Sequence, residues 1–215
     1  MLANALEVAA WVLPVVFAIT VHEAAHAFAA WRFGDTTARD LGRLTLNPLP
    51  HVSMVGTVLV PALAVFLSGM AFGWAKPVPV NLARVRSPRT AMVWVALAGP
   101  LSNLIMLVAW SVLLVSLPEP GDDPSWMGAL AIASNLGVLA NLILMVFNLL
   151  PVPPLDGGRV VMALLPTAVL RRVGAWHHWV GLLVVVALVL SGIANRVMVS
   201  AIEQWIAVLN LWVGG

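Results

Sequence analysis

The sequence predicts an all-α polytopic membrane protein of five to six transmembrane segments, with one broken or re-entrant element and room for short membrane-associated β strands. Three observations predict it. The 215-residue chain is 61% hydrophobic and only 9% charged, where soluble domains carry about 25% charged residues. Its apolar residues fall in long uncharged runs, and a helix needs about 20 such residues to cross the hydrocarbon core. Pro and Gly cluster within and after some of these runs, and at membrane depth irregular backbone is tolerated only where protein shields it or it lines a cavity. A net charge of +2 without a basic run excludes a nucleic-acid partner. With no cysteine in the chain, disulfides, iron–sulfur clusters and thiolate zinc sites are excluded, so any metal must rest on His, Asp or Glu.

The first run, residues 8–21, continues into His22 without a turn signal. No Lys or Arg precedes it, so it is expected to remain in the mature protein rather than be cleaved as a leader. Residues 54–75, 90–118 and 124–155 contain no Asp, Glu, Lys or Arg. Residues 179–195 form a shorter run. Residues 197–212 hold Glu203 and Gln204 and read as a last span, a half-span or an interfacial helix. These segments form a single membrane-embedded domain over 1–215, with a core at about 5–160 and C-terminal membrane segments at about 173–213; no linker or appended soluble domain is expected.

Lys and Arg collect in cytoplasmic loops. Arg32, Arg39 and Arg43 follow the first run, and Lys76, Arg84, Arg86 and Arg89 precede the run at 90–118. Arg159, Arg171 and Arg172 follow 124–155, whereas the loop holding Glu119, Asp122 and Asp123 has no base. The acidic loop is therefore outside and the basic ends inside. Both earlier basic loops can be cytoplasmic only if 54–75 does not cross once. Gly56, Pro61, Gly69 and Gly73, with Pro77 and Pro79 beyond, suit a re-entrant element; the other reading is that the charge count fails for one loop.

The sharpest feature is His22-Glu23-Ala24-Ala25-His26, inside the first apolar segment. On a helix, positions i and i+4 share a face, so both imidazoles can reach one tetrahedral Zn²⁺. Glu23 then lies beside the ion, where it can take a proton from the zinc-bound water and return it to the leaving amine. This is the H-E-x-x-H signature of metalloproteases. Ionisable residues in a span call for a partner or a function, although a helix end at the interface would also carry them. A catalytic zinc usually has three protein ligands. Most other carboxylates lie in loops, at segment ends or in the tail. Asp156 instead closes an uncharged run at Asn148-Leu-Leu-Pro-Val-Pro-Pro-Leu-Asp156-Gly157-Gly158-Arg159, where three prolines and two glycines break the helix. Asp156 is the third candidate ligand; the simpler reading is a cap on the helix that follows.

His22-Glu23-x-x-His26, then Gly99-Pro-Leu-Ser-Asn103, then Asn148-x-x-Pro151-x-x-x-x-Asp156-Gly157 resemble, in order, the three signature motifs of the site-2 protease family, the intramembrane zinc metalloproteases. Gly73-Trp-Ala-Lys-Pro-Val-Pro-Val80 is similar to a segment of compact prokaryotic members without PDZ or CBS domains. The resemblance implies His22, His26 and Asp156 as ligands of one zinc per chain and Glu23 as the catalytic acid/base. It also implies that Asn103 and Asn148 hold the substrate backbone or the tetrahedral intermediate, since an amide aimed at a developing oxyanion stabilises it; interhelical hydrogen bonding is the competing role for each. The expected substrate is a single-pass transmembrane protein, bound locally unwound in the bilayer, with 78–82 or 44–60 as a strand edge. The expected location is a prokaryotic inner membrane with the site toward the cytoplasm, and a homodimer is compatible with the sequence. The residues leave two other readings open: an ion or proton path through His22, Glu23, His26 and Asp156, and an inactive scaffold. His51 reads as a loop histidine or a gate residue, His177 and His178 as interfacial, and Gly99 as a site of close helix packing.

Overall fold

The computed structural model describes residues 2–53, 76–117, 126–173 and 177–213, with positions 56, 59 and 66 between the first two stretches. Its helices are α1 (Leu2–Arg32), the single turn α2 (Thr37–Asp40), α3 (Pro88–Val115), α4 (Trp126–Asn148), α5 (Asp156–Leu164), α6 (Thr167–Val173), α7 (His177–Leu190) and α8 (Ile193–Val213). Short 3₁₀ turns stand at Leu49–His51 and Leu82–Arg84. Helices α1, α3 and α4 pack against one another, α5 docks on α3, and α8 leans on α4.

The packing is that of a protein whose solvent is lipid. Large apolar side chains point outward, with Leu13 63%, Ile105 71% and Leu190 82% exposed. Many buried positions are small or polar: Ala10, Ala18, Ala24, Ala27 and Ala30 on α1, and Asn103, Ser111, Ser134 and Asn141 on α3 and α4. Without a hydrophobic drive between helices in a bilayer, close backbone approach through small residues and hydrogen bonds across helices hold the bundle. A cluster of Leu107, Val138 and Leu142, covered by Trp205 of α8, closes one part of it. Trp205 Nε1–H donates to Ser111 Oγ at 3.0 Å, so the indole nitrogen is satisfied in the same contact.

Among the described residues, three helices are long and apolar enough to cross a membrane: Ala5–Arg32, Pro88–Val115 and Trp126–Asn148. The expected run at 124–155 ends as a helix at Asn148, where Pro151, Pro153 and Pro154 cannot continue it. The two runs expected at 179–195 and 197–212 form one bent pair, Val180–Leu190 and Ile193–Trp212, at 67° to each other. The bend falls at Gly192, whose φ of 73° lies in the left-handed region that terminates helices. The described residues therefore hold three spans, or four if the bent pair is one; the expected five to six also count 54–75. The described residues contain no strand; of the expected edge 78–82, residues 78–81 are coil with no ladder partner and Leu82 opens a 3₁₀ turn, and Pro79 lacks the N–H that pairing needs. The expected segment 54–75 lies outside the described residues apart from 56, 59 and 66. The residues that flank it meet: Lys76 N–H donates to His51 C=O at 2.9 Å, and Arg43 Nη1 donates to Lys76 C=O at 3.3 Å.

Candidate metal centre

His22 and His26 lie one turn apart on the buried face of α1, and Asp156 is the first residue of α5. Their Nε2, Nε2 and Oδ2 atoms form a small triangle. The two Nε2 atoms are 3.0 Å apart, and each is 3.3 Å from Asp156 Oδ2. All three residues are buried.

The protons of both rings are accounted for on the far side. His26 Nδ1 lies 2.6 Å from the Val95 carbonyl oxygen, which only accepts, so Nδ1–H donates and Nε2 carries a lone pair. His22 Nδ1 lies 2.5 Å from Asn103 Oδ1, again an acceptor, with the same consequence. Two nitrogen lone pairs and a carboxylate oxygen thus converge, and Asp156 Oδ2 is buried without a hydrogen-bond donor. A convergence of acceptors with no proton between them calls for a cation. Ligand atoms 2.0–2.1 Å from a tetrahedral zinc lie about 3.3 Å apart, which these separations fit. The acceptors behind each imidazole match the outer partners that orient metal-binding histidines.

The local sequence explains how the three helices bring these groups together. At Gly99 of α3, a Cβ would lie 2.5 Å from His22 Cε1 and 2.5 Å from His26 Nε2, so only glycine lets α3 pass behind the two rings. Pro100 removes one backbone donor and loosens the helix within a turn or so of the Val95 carbonyl that takes His26. Gly157 and Gly158 let the start of α5 press on the preceding turn; Cβ atoms there would overlap the Leu149 carbonyl and the backbone at Pro153. This compact turn holds Asp156 against α1. Arg159 Nη1 lies 3.7 Å from Asp156 Oδ1, on the side away from the histidines.

Glu23 is half-buried and outside the triangle, with Oε2 accepting the Val78 N–H at 3.2 Å. Asn103 is fully buried behind His22, and its Nδ2 donates to Asn141 Oδ1 at 2.8 Å and toward Ala18 C=O at 3.4 Å. Its amide protons are thus engaged between helices. Asn148 Nδ2 donates to Leu144 C=O in its own helix at 2.9 Å. His51 is buried, with Nε2 3.1 Å from the Thr45 carbonyl. A cavity of about 450 Å³ is lined by Val78, Arg89, Pro153, Arg159 and Met162 among others, and by Val95, whose carbonyl takes His26.

Sequence reasoning passed over Asn141, the Val95 carbonyl and Asp35, and took Val78 only as part of a strand edge. Asn141 had a signal, being a lone amide in an uncharged helix; a backbone carbonyl or amide has none. Asp35 was set aside as a loop carboxylate. It is fully buried, with Oδ1 accepting from Thr37 N–H at 3.0 Å and Thr37 Oγ1–H at 2.5 Å, and Oδ2 accepting from Asn81 N–H at 2.6 Å. Burial works to raise its pKa, but the Thr37 hydroxyl, the two amides and nearby Arg84 outweigh it and hold the carboxyl below its ordinary value.

The architecture and the site define a helical membrane protein with an H-E-x-x-H candidate metal centre completed by a distant aspartate. Residues 115–192 match Peptidase family M50. YwhC of Bacillus subtilis is 42% identical over 160 residues, covering 74% of this chain and 70% of its own. Rip2 of Mycolicibacterium smegmatis is 33% identical over 192 residues, 89% of this chain and 69% of its own; both relatives carry "zinc metalloprotease" in their names. MJ0611 of Methanocaldococcus jannaschii is 37% identical over 67 residues, 31% of each chain. No solved structure matches at a comparable level. The chain belongs to Peptidase family M50, the site-2 protease family of zinc metalloproteases.

Proposed function

We propose that this chain is an intramembrane endopeptidase that hydrolyses a peptide bond in or near a transmembrane segment of a single-pass membrane protein, as in regulated intramembrane proteolysis. The observation that carries the reading is the triangle of His22 Nε2, His26 Nε2 and Asp156 Oδ2, with both Nδ1 protons spent on fixed acceptors. These three residues would hold one zinc per chain, which polarises the scissile carbonyl and acidifies the attacking water. Glu23 takes the proton from that water as oxygen attacks the carbonyl carbon, then gives it to the amide nitrogen as the C–N bond breaks. Val95 and Asn103 hold the imidazoles in the tautomer that presents Nε2. Asn103 acts on the ligand rather than on substrate, because its amide is engaged with Asn141; a direct substrate role for Asn148 stands as the weaker proposal.

The substrate lies in the apolar cavity whose lining includes Met92, Pro153, Met162 and Leu170. The single membrane domain, the prokaryotic inner membrane and the cytoplasmic side of the site belong to the same proposal. The bacterial relatives, and the gathering of Arg89, Arg159 and the segment after Lys76 around one cavity, support it. Because Lys76 and His51 are hydrogen-bonded, the re-entrant reading of 54–75 is preferred to a further single crossing.

The test is metal content and cleavage on detergent-purified protein. About one zinc per chain in the wild type, lost in His22→Ala and in Asp156→Ala, together with a Glu23→Gln variant that keeps zinc but no longer cleaves, is the expected result. A Glu23→Gln variant as active as wild type removes Glu23 from the mechanism, and zinc retained in both ligand variants removes the site.

A further inference from the structure

The segment 76–81 carries four backbone N–H groups, because Pro77 and Pro79 have none. Three of the four are spent on fixed partners: Lys76 on the His51 carbonyl, Val78 on Glu23 Oε2 and Asn81 on Asp35 Oδ2. Val78 is the point of interest. Pro79 confines it to extended backbone, and Pro77 has its own φ fixed by its ring. The one N–H between the two rings is therefore delivered in a set direction, and it meets the carboxylate of Glu23. The Val78 side chain is buried against Ala27 of α1 and Ala38 of α2, which seats the segment on the helix that bears Glu23. At the far end Asp35, fully buried, ties Asn81 to the turn that opens α2. A glutamate side chain has three rotors, and its terminal torsion is broad. Among the described residues Oε2 has the Val78 amide as its partner and Oε1 makes no hydrogen bond.

We infer that the Pro77-Val78-Pro79 strap, latched by Asp35, positions Glu23 for proton transfer: the Val78 N–H fixes Oε2 and leaves Oε1 to receive the proton. This rests on Glu23 being the base. Asp35 and Val78 are positioning residues and touch neither metal nor substrate in this role. Misplacing a reacting group by about 1 Å costs about a hundredfold in rate, so loss of the strap should appear in kcat while zinc and substrate affinity persist.

The experiment compares Val78→Pro with Val78→Ala in the full-length, zinc-loaded enzyme in detergent. Both remove the valine side chain; only proline removes the N–H. The probe is a synthetic apolar peptide with a Gly-Pro break and a fluorophore–quencher pair, beside Glu23→Gln as control. Expected is a kcat for Val78→Pro at least about tenfold below that of Val78→Ala, with KM within about twofold and zinc content equal. Asp35→Asn, which keeps the shape but weakens the acceptor, should lower kcat in the same sense with zinc and KM kept; it carries the test if Val78→Pro does not fold. Equal kcat in the proline and alanine variants overturns the inference. So does a change confined to KM, which would make the strap a substrate edge, or, where Val78→Pro does not fold, an Asp35→Asn enzyme with wild-type kcat. If Glu23→Gln itself cleaves at the wild-type rate, the underlying reading of Glu23 has failed and not the strap alone.

Discussion

Asp35 is a carboxylate with no solvent exposure and three donors, at a position the sequence marks only as one of the carboxylates in loops, at segment ends or in the tail. Hydrogen bonds to a charged group are worth about 1.5–3 kcal/mol each when the partner would otherwise be left buried and unpaired. Its pKa is held below the unfolded value of about 3.9. Its contribution to stability is therefore complete above that unfolded value and is lost as the pH falls through the lower, folded one. The melting temperatures of metal-free wild type and Asp35→Asn should differ by the same amount at about pH 7 and pH 5, and the gap should narrow at about pH 3. A gap unchanged down to that pH would show that the carboxylate gains nothing from its donors. The bonds responsible link residues up to 46 positions apart, which is why no local pattern in the sequence marks Asp35. The histidines differ in this respect: a spacing of four on a helix is itself local, so His22 and His26 were legible, and Asp156 was legible through the prolines and glycines around it.

At the scale of elements, the three long helices were legible from uncharged runs alone, because length and apolarity are what a bilayer requires of a span. What the runs do not encode is how closely two spans approach. Gly99 reads in the sequence as a packing glycine; in the structure the close approach is between the α3 backbone and the two imidazoles. Those rings have little room to withdraw, since each is bonded through Nδ1 to α3 itself, at Val95 and Asn103. Gly99→Ala should therefore separate α3 from α1 or rotate the rings off the triangle. Zinc affinity, read by competition with a chelator, is expected to fall at least about tenfold relative to wild type, a loss of the size seen when outer partners of metal ligands are removed, while far-ultraviolet circular dichroism shows the helices retained. An alanine variant with full zinc affinity would mean that the helices can part by the needed fraction of an ångström without cost. The broken turn before α5 follows the same logic, its shape set by backbone contacts at Gly157 and Gly158 that only the assembled fold reveals.

For the whole molecule, the charge pattern sets a question that the flanking residues answer in part. Arg39 and Arg43 on one side of 54–75, and Lys76, Arg84 and Arg86 on the other, can share a compartment only if that stretch leaves and returns on one face. The hydrogen bonds from Lys76 to His51, from Arg43 to Lys76 and from Asn81 to Asp35 draw both basic loops together at one end of the bundle. Helix α3 then departs from Pro88 and ends at Val115; its 28 residues rise about 42 Å, more than the hydrocarbon thickness. Because the chain contains no cysteine, single introduced thiols report topology without background. Leu46→Cys and Ser87→Cys are both at exposed positions flanking the stretch, and Ser116→Cys lies just past the far end of α3. In intact cells a membrane-impermeant maleimide should label Ser116→Cys and leave the other two unreacted until the membrane is opened. Labelling of Leu46→Cys and Ser87→Cys from opposite faces would mean that 54–75 crosses the bilayer once. The positive-inside count would then fail for one loop, and the strap that meets Glu23 would have to be reached across the membrane from the Arg43 loop, which the hydrogen bonds between them do not permit.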